Sequence, residues 1–251
     1  MYKNIIKEFP EEGSYNTYME PFGGSYSIGF RANPPQVEIY NDLEKNVYSL
    51  FKVLSDNTLF TEFKHLCDLC VFDETLFKEY KYKLKNEINL SIVNRAFYFY
   101  YTSKNGFGGH SSISIQPKLR RNMSISAYSL LSSVDELYDI HNRLSRIIVL
   151  NRDGIELIKK YNNPNIFIYV DPPYVQHTRL SSTKYNIELS LEKHKELINV
   201  VSDSKSKILI SGYENELYED LKNFKKINFD INAKDGKNRT KVITETLWKN
   251  Y

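Results

Sequence analysis

The most constraining feature of this sequence is a β-branched and aromatic run that stops at an acid and two prolines, Asn165-Ile-Phe-Ile-Tyr-Val-Asp171-Pro172-Pro173-Tyr174. A run of this length and composition is typical of a buried strand. Proline has no N–H to donate to a sheet, so the strand must end at Asp171. The pattern therefore predicts an acid and a tyrosine in a stiff loop at a strand's carboxyl end, where open α/β sheets bind ligands.

This loop carries groups suited to holding an aromatic amine. The N6 of adenine is a poor nucleophile because its lone pair is delocalised into the ring. The carboxylate of Asp171 and the carbonyl of Pro172 can each accept one N–H, and the ring of Tyr174 can stack on the base. A strand followed by an ordinary Pro-Pro turn is the alternative, and the rest of the chain has to decide between the two.

Composition limits the class of protein. A chain of 251 residues with 41% hydrophobic residues is long and apolar enough for one large domain, or for a core with an insertion. The net charge of +3 permits nucleic-acid binding without demonstrating it. No long apolar run or signal peptide is apparent, so we expect a soluble cytoplasmic protein without a membrane span. Cys67 and Cys70 form only one pair, so neither a disulfide framework nor a zinc site is expected.

Hydrophobic periodicity predicts a sheet interrupted by a helical insertion. Strands are predicted over residues 15–19, 37–42, 146–150, 165–171 and 207–210, followed by an antiparallel hairpin of 226–231 and 242–249. A short helix is predicted to begin near Tyr26, and longer ones over 133–143 and 214–224. Helical patterns dominate residues 55–143. We therefore predict a sheet-containing domain of residues 1–54 and 144–251, with an inserted, mostly helical domain of residues 55–143.

Four of the predicted strands are followed by a carboxylate, at Glu20, Asp42, Asp153 and Asp171. Glu20 begins Glu20-Pro21-Phe22-Gly23-Gly24, where glycine lets the backbone approach a ligand closely. Asp42 lies 18 residues beyond Gly24, close to the spacing at which an acid accepts ribose hydroxyls. Carboxylates at four strand ends indicate a ligand-binding edge.

In this order and spacing, the motifs resemble those of the D12 class of adenine-N6 DNA methyltransferases. The resemblance covers nearly the whole chain and lies in Tyr18-Met-Glu-Pro-Phe-Gly-Gly-Ser25 with Val37-Glu-Ile-Tyr-Asn-Asp42, in Asp171-Pro-Pro-Tyr174 extended by Thr178-Arg179, Tyr185 and His194, and in Ser211-Gly-Tyr-Glu214 with Glu245-Thr-Leu-Trp-Lys-Asn250. It implies an α/β fold: a Rossmann-like, S-adenosylmethionine-dependent methyltransferase sheet with an inserted, mostly helical target-recognition domain. Residues 1–54 and 144–251 would then be the catalytic, cofactor-binding domain, and residues 55–143 the target-recognition domain.

The resemblance also implies roles for individual residues. Residues of the first motif and the strand-end acids would bind S-adenosylmethionine: Glu20, Pro21, Phe22, Gly23, Gly24, Asp42, Asp153 and Asp171. Asp42 would bind ribose and Asp153 the cofactor adenine. Asp171, Pro172, Pro173 and Tyr174 would hold a target adenine flipped out of double-stranded DNA. In the insertion, Asn105, Lys118, Arg120 and Arg121 are candidate DNA contacts.

Alternatives to a DNA adenine-N6 methyltransferase stay open. The family usually has a second glycine at the position of Tyr26, and a lysine-containing segment ahead of the first strand that this sequence does not show. Both departures favour a catalytically weakened DNA-binding protein of the same fold. The N4 of cytosine or an adenine in RNA could use the same acceptors as adenine in DNA. Neither the recognition sequence nor the oligomeric state follows from these motifs.

Overall fold

A seven-stranded sheet carries the predicted ligand-binding edge. The structure, a computed structural model, describes residues 1–33, 35–106, 119–120, 123–173, 189–234 and 240–251, with the backbone alone at 119, 232–234, 240 and 241. The strands are β1 (Thr17–Glu20), β2 (Val37–Asn41), β3 (Leu119–Arg120), β4 (Met123–Ser124), β5 (Ile148–Leu150), β6 (Ile166–Val170), β7 (Lys207–Gly212), β8 (Lys225–Lys234) and β9 (Thr240–Lys249).

The strand order across the large sheet is β5-β2-β1-β6-β7-β9-β8. Strands β2, β1, β6 and β7 run parallel to their neighbours in this series, whereas β9 pairs antiparallel with both β7 and β8. All five residues of β6 are buried, as expected for a strand covered on both faces. The mixed α/β architecture and the terminal antiparallel hairpin are confirmed.

The helices are α1 (Tyr2–Lys7), α2 (Lys45–Ser55), α3 (Asn57–Asp68), α4 (Glu74–Asn86), α5 (Ile92–Asn105), α6 (Ile125–Asp135), α7 (Leu137–Leu144), α8 (Gly154–Lys160) and α9 (Leu191–Ser202), with a short 3-10 helix at Glu216–Asp220. Side-chain caps define several of their beginnings. Asp56, Asp73 and Ser190, for example, each accept a backbone N–H from the first turn of the helix that follows. In the part of the chain that the structure describes, no helix is long and apolar enough to cross a membrane.

The chain divides into two compact units. The first contains Met1–Glu44 and Leu150–Tyr251, and its core includes β1, β2, β6 and β7 with helices α8 and α9. The second contains Lys45–Val149 and is mostly helical. Its boundaries differ by several residues from the predicted insertion of 55–143, because α2 packs against α5 and α7 of the second unit. That the second unit recognises a DNA target stays a prediction.

Three predicted helices are wrong in extent or kind. The segment after Tyr26 forms turns, because Tyr26 has a φ of 54°, a left-handed value that a helix cannot accommodate. The helix predicted over 214–224 is reduced to the 3-10 helix, which ends when Leu221 takes a ψ of 51°. The helix predicted over 133–143 is divided at Glu136, which closes α6 and precedes α7.

Candidate functional site

Three acids meet at one edge of the sheet because their strands are parallel neighbours. β1 lies between β2 and β6, with Glu20 paired to Tyr40 and Met19 paired to Ile168. Continued past the strand ends, this register brings Asp42 and Asp171 level with Phe22. The glycine turn after β1 therefore lies between the two acids, in the arrangement that ligand sites of open α/β sheets require.

The turn after β1 needs glycine at both of its central positions. The Gly23 N–H donates to the carbonyl of Asn41 at 2.8 Å, and a Cβ on Gly23 would come within 2.3 Å of the Tyr40 ring. Gly24 has a φ of +47°, which favours glycine, and no described atom lies within 4 Å of where its Cβ would be. The turn is thus closed on its Gly23 side and open in front of Gly24.

Asp42 is bound to this turn and keeps capacity for a ligand. Its Oδ2 accepts the Gly24 N–H at 2.9 Å, and its Oδ1 accepts the Glu44 N–H at 2.7 Å. Burial raises the pKa of Asp42, and the two backbone bonds oppose that rise. An ionised carboxylate has about four lone-pair sites, so two remain for hydroxyl donors such as those of a ribose.

Glu20 is buried beneath the same turn, with 3% of its surface exposed. Its Oε1 accepts both the Tyr18 hydroxyl at 2.6 Å and the Gly29 N–H at 2.8 Å. Burial raises the pKa of Glu20 to about 8, despite these two hydrogen bonds. Glu20 thus ties the chain at Gly29 to the end of β1 and is largely protonated at neutral pH.

Tyr26, which departs from the family pattern, does not obstruct the turn. Its backbone takes the left-handed φ of 54°, a conformation in which glycine is common. Its ring is fully buried, packs edge-on against Phe30 and Tyr40, and donates its hydroxyl to Glu38 Oε1 at 3.1 Å. The ring therefore fills the core and leaves the space in front of Gly24 open.

Asn41, which the sequence motifs do not single out as a site residue, joins two of the strand-end loops. Its side chain is fully buried. Its Nδ2 donates to the carbonyls of Pro21 at 2.7 Å and Arg152 at 2.9 Å, and its Oδ1 accepts the Arg152 N–H at 2.8 Å. A second polar residue, at the last position of a strand that already contains Glu38, was the available signal.

Gly154 is a second residue that sequence reasoning missed. A Cβ at this position would lie 2.8 Å from both the Phe22 ring and the Pro21 carbonyl. Gly154 therefore allows the loop after β1 to pack directly on the start of α8. A glycine immediately after a helix-capping acid was the only signal in the sequence.

Asp153 has a structural role in addition to the predicted contact with the cofactor adenine. Its Oδ1 caps α8 by accepting the N–H groups of Ile155 at 2.8 Å and Glu156 at 3.3 Å. Its Oδ2 lies 3.5 Å from Lys193 Nζ. The cap orients Asp153 at the edge of the sheet, and its contact with a cofactor stays a prediction.

Asp171 stands at the end of β6 with its side chain accessible to solvent. Its Oδ1 accepts the Ser211 hydroxyl at 3.0 Å, and Ser211 in turn lies 2.8 Å from the Tyr169 hydroxyl. Desolvation raises the pKa of Asp171 to about 7; the Ser211 bond opposes this rise, and the charge of Glu245 adds to it. Asp171 is thus a carboxylate that changes charge near neutral pH.

The rest of the predicted Asp-Pro-Pro-Tyr loop is described only in part. Pro172 is buried and Pro173 is half-buried, whereas Tyr174 lies outside the described residues. The ring of His194 is 1% exposed. Burial lowers the pKa of His194, and the Pro173 carbonyl partly opposes that effect. The ring nitrogens of His194 do not reach hydrogen-bonding geometry with any described partner.

The predicted DNA contacts belong to the second unit. Arg120 is exposed, and its guanidinium lies 4.5 Å from the centre of the Tyr128 ring, which leaves its in-plane N–H groups available to a phosphate. Asn105 is only 2% exposed and neither amide atom has a described partner, so it offers little surface to DNA. Lys118 and Arg121 lie outside the described residues.

Both cysteines of the chain lie in the second unit. Cys67 is buried on α3 and Cys70 is half-buried just beyond it, both as free thiols. Within the described ranges, no group of three or more His, Cys, Asp or Glu side chains is placed to hold a metal ion. Burial raises the pKa of the Cys67 thiol, which makes it a packing residue of the helical unit.

Comparison with known proteins places this geometry in context. Residues 1–239 match the family of D12 class N6 adenine-specific DNA methyltransferases. The chain is also 27% identical over 277 aligned positions to the type II methyltransferase M.MjaIII of Methanocaldococcus jannaschii, covering 99% of this chain and 93% of that protein. The match to the family spans the glycine turn, Asp42 and Asp171, the residues that form the edge described above.

Proposed function

Because the chain belongs to the D12 class N6 adenine-specific DNA methyltransferases, we propose that it transfers a methyl group from S-adenosylmethionine to the N6 of adenine in double-stranded DNA. The observation that carries this proposal is the meeting of the glycine turn, Asp42 and Asp171 at the carboxyl ends of three adjacent parallel strands. One ligand at the turn and another at Asp171 would lie side by side there, as transfer between them requires.

The residues around Gly24 fit S-adenosylmethionine. Open space in front of Gly24 admits a ligand close to the backbone, and Asp42 keeps two acceptor sites for ribose hydroxyls. The carboxylates of Asp42 and Asp171 give this edge a negative character that suits a cationic ligand. Phe22 would line the methionine end, and Asp153 would meet the adenine. When bound, the cofactor supplies an electrophilic methyl group.

Asp171 and the Pro172 carbonyl would orient the target amine. Each accepts one N–H, so that the nitrogen lone pair points towards the cofactor side of the edge. Tyr174 would stack on the flipped base and offset part of the roughly few kcal/mol that flipping costs. Positioning of this kind supplies much of the rate in a direct displacement, which needs no covalent intermediate.

The second unit would hold the duplex. Arg120 is exposed and its guanidinium lies over the Tyr128 ring, a position that suits a phosphate contact. Lys118 and Arg121 extend the basic stretch in the sequence. The similar type II methyltransferase favours a restriction–modification setting for this activity.

The alternative function is that of a catalytically weakened DNA-binding protein. It is based on Tyr26, which occupies a position where the family usually has glycine. The ring of Tyr26 is buried away from the open side of Gly24. This position therefore supports a working cofactor site better than a lost one. The same acceptors would serve the N4 of cytosine, so the experiment has to include cytosine-only duplexes.

The test combines cofactor binding with methylation. We expect calorimetric binding of S-adenosylmethionine without DNA, and transfer of labelled methyl groups to adenine-containing duplex DNA. Asp171→Asn keeps the shape of the side chain but removes its charge. Because Asp171 is also assigned to the cofactor site, we expect cofactor binding to weaken slightly. Methylation should fall far more, by at least about 100-fold, which is on the order of one electrostatic contact in the transition state.

A matched control is Asp203→Ala, which removes an exposed acid beyond the end of α9. This variant should methylate like the parent protein. Cofactor binding without any methylation of adenine or cytosine would favour the DNA-binding alternative. Equal activity in Asp171→Asn and the parent protein would remove Asp171 from the reaction.

A further inference from the structure

A chain of hydroxyl groups connects the interior of the sheet to Asp171. The register pairs Tyr169 with Leu209 and Val170 with Ile210, so Asp171 comes level with Ser211 on the next strand. Ser211 Oγ lies 3.0 Å from Asp171 Oδ1 and 2.8 Å from the Tyr169 hydroxyl. Tyr169 lies on β6 and Asp171 follows one residue beyond its end, two positions further along, so the alternation of the strand puts both on the same face.

The chemistry of these groups sets the direction of the two hydrogen bonds. A serine hydroxyl has a single proton. Ser211 donates that proton to Asp171, so Tyr169 must donate its own proton to Ser211. An ionised carboxylate only accepts hydrogen bonds. The chain therefore fits an ionised Asp171 and occupies its Oδ1 alone, which leaves Oδ2 for another donor.

Both hydroxyl residues are almost completely buried. Ser211 is 1% exposed and Tyr169 is 3% exposed. Buried hydroxyls have little freedom to turn towards water, so the bond to Oδ1 fixes the rotation of the Asp171 carboxylate. A buried serine in a strand often serves packing alone. Ser211 differs because it links the buried Tyr169 hydroxyl to a solvent-accessible acid through two consecutive hydrogen bonds.

Burial and one neighbouring acid oppose the ionised form of Asp171. Glu245 of β9 raises the pKa of Asp171 by its charge, in addition to the effect of desolvation. The charge of Asp171 in turn raises the pKa of Glu20 at the end of β1 and of Tyr218 in the 3-10 helix. Among these neighbours, Ser211 is the group whose hydrogen bond lowers the pKa of Asp171.

We propose that Ser211 and Tyr169 are positioning residues for the target amine, which hold Asp171 ionised and rotated so that Oδ2 accepts an N–H of the substrate. The proposal rests on the proposed function, because the amine is the substrate named there. Neither residue touches the substrate, and both act through Asp171. The recognised ligand is an exocyclic amine that needs one strong, oriented acceptor.

The test compares Ser211→Ala and Tyr169→Phe with Ser206→Ala. Ser206 is also buried, and its hydroxyl oxygen lies 2.9 Å from the Tyr161 carbonyl and 3.0 Å from the Asn163 carbonyl, either of which can accept its single proton. All three variants lose a buried hydroxyl. The methylation rate is measured from pH 6 to pH 9, together with KM for DNA and calorimetric binding of S-adenosylmethionine.

We expect the acidic limb of the kcat profile of Ser211→Ala to move up by about one pH unit, the effect of one hydrogen bond to a charged group. At pH 7 the ionised share of Asp171 would then fall from about one half to about one eleventh, which lowers kcat about five-fold. The loss should shrink towards pH 9, and KM and cofactor binding should stay unchanged. Tyr169→Phe should move the limb in the same direction by less.

A direct titration separates this proposal from the proposed function. Carboxyl carbon NMR of the free protein should show a higher pKa for Asp171 in Ser211→Ala than in the parent or in Ser206→Ala. An unchanged Asp171 titration overturns the positioning role, whether or not the protein methylates DNA. A shifted titration in a protein that methylates no adenine leaves the hydrogen-bond chain supported and overturns only the activity. Should Ser211→Ala not fold, Tyr169→Phe carries the same test.

Discussion

Replacing Asn41 should test how the strand-end loops are held together. Asn41→Ala removes three hydrogen bonds, to the Pro21 carbonyl, the Arg152 carbonyl and the Arg152 N–H, at 2.7, 2.9 and 2.8 Å. Each such bond contributes about 1 kcal/mol net, so the free energy of unfolding should fall by about 2–4 kcal/mol. The upper part of that range applies because Asn41 is fully buried and its partners would be left without water.

The assay is urea unfolding at fixed pH, with S-adenosylmethionine binding measured beside it. Because Pro21 begins the glycine turn, loosening its carbonyl should also weaken cofactor binding on the order of ten-fold, which corresponds to about 1.4 kcal/mol. The matched control is Asn228→Ala, which removes an exposed asparagine of β8. Its unfolding free energy should stay within about 0.5 kcal/mol of the parent.

A nearly isosteric change sharpens the test. Asn41→Asp keeps an oxygen for the Arg152 N–H but places a second oxygen against the carbonyls of Pro21 and Arg152. Repulsion and burial should raise the pKa of the new carboxyl, so this variant should lose stability as the pH rises. A loss below about 0.5 kcal/mol in Asn41→Ala, or no effect of pH on Asn41→Asp, would refute the reasoning.

Two further predictions concern the buried side of the glycine turn. Gly29→Ala should lower the unfolding free energy by about 1–3 kcal/mol through overpacking, because its Cβ would lie 2.2 Å from the Tyr26 ring. The control is Gly212→Ala, whose Cβ would lie at an ordinary contact distance of 3.6 Å from Trp248. The Gly29→Ala penalty should disappear in a Tyr26→Gly background, and an equal penalty in both backgrounds contradicts the contact. The raised pKa of Glu20, about 8 against 4.5, means that its contribution to stability is fully present below pH 4.5 and is lost as the pH rises through 8. Glu20→Gln should therefore flatten the urea stability profile between pH 5 and pH 8, and an unaltered slope would show that Glu20 ionises freely in the folded protein.

Much of the fold followed from local patterns in the sequence. Pro172 and Pro173 end β6 because neither can donate to a sheet, and the all-apolar run before them predicts the buried strand that the structure contains. The terminal hairpin was predicted from two successive β-rich runs, residues 226–231 and 242–249. The helices predicted near Tyr26 and over 214–224 were wrong because Tyr26 and Leu221 adopt backbone dihedrals outside the helical region. The local residue pattern is compatible with a helix and does not show these dihedrals.

The candidate site was likewise predicted only in part from the sequence. Strand-end acids and glycines are visible in the sequence because each motif occupies a few consecutive residues. The role of Asn41 was missed because its partner Arg152 lies 111 residues away. Ser211 belongs to a recognised motif, but its contact with Asp171 was missed because the two residues lie 40 positions apart. A strand's own sequence shows which of its residues share a face but does not show which strand will lie beside it.

By itself, then, the sequence determined the α/β class, the strand that stops at Asp171 and the acids that follow the strands, because steric limits and alternation act over a few residues. Only the tertiary structure decided that β1 lies between β2 and β6, that the ring of Tyr26 turns into the core, and that Ser211 meets Asp171. Hydrogen bonds between neighbouring strands depend on strand order and register, which are set by the packing of the whole sheet.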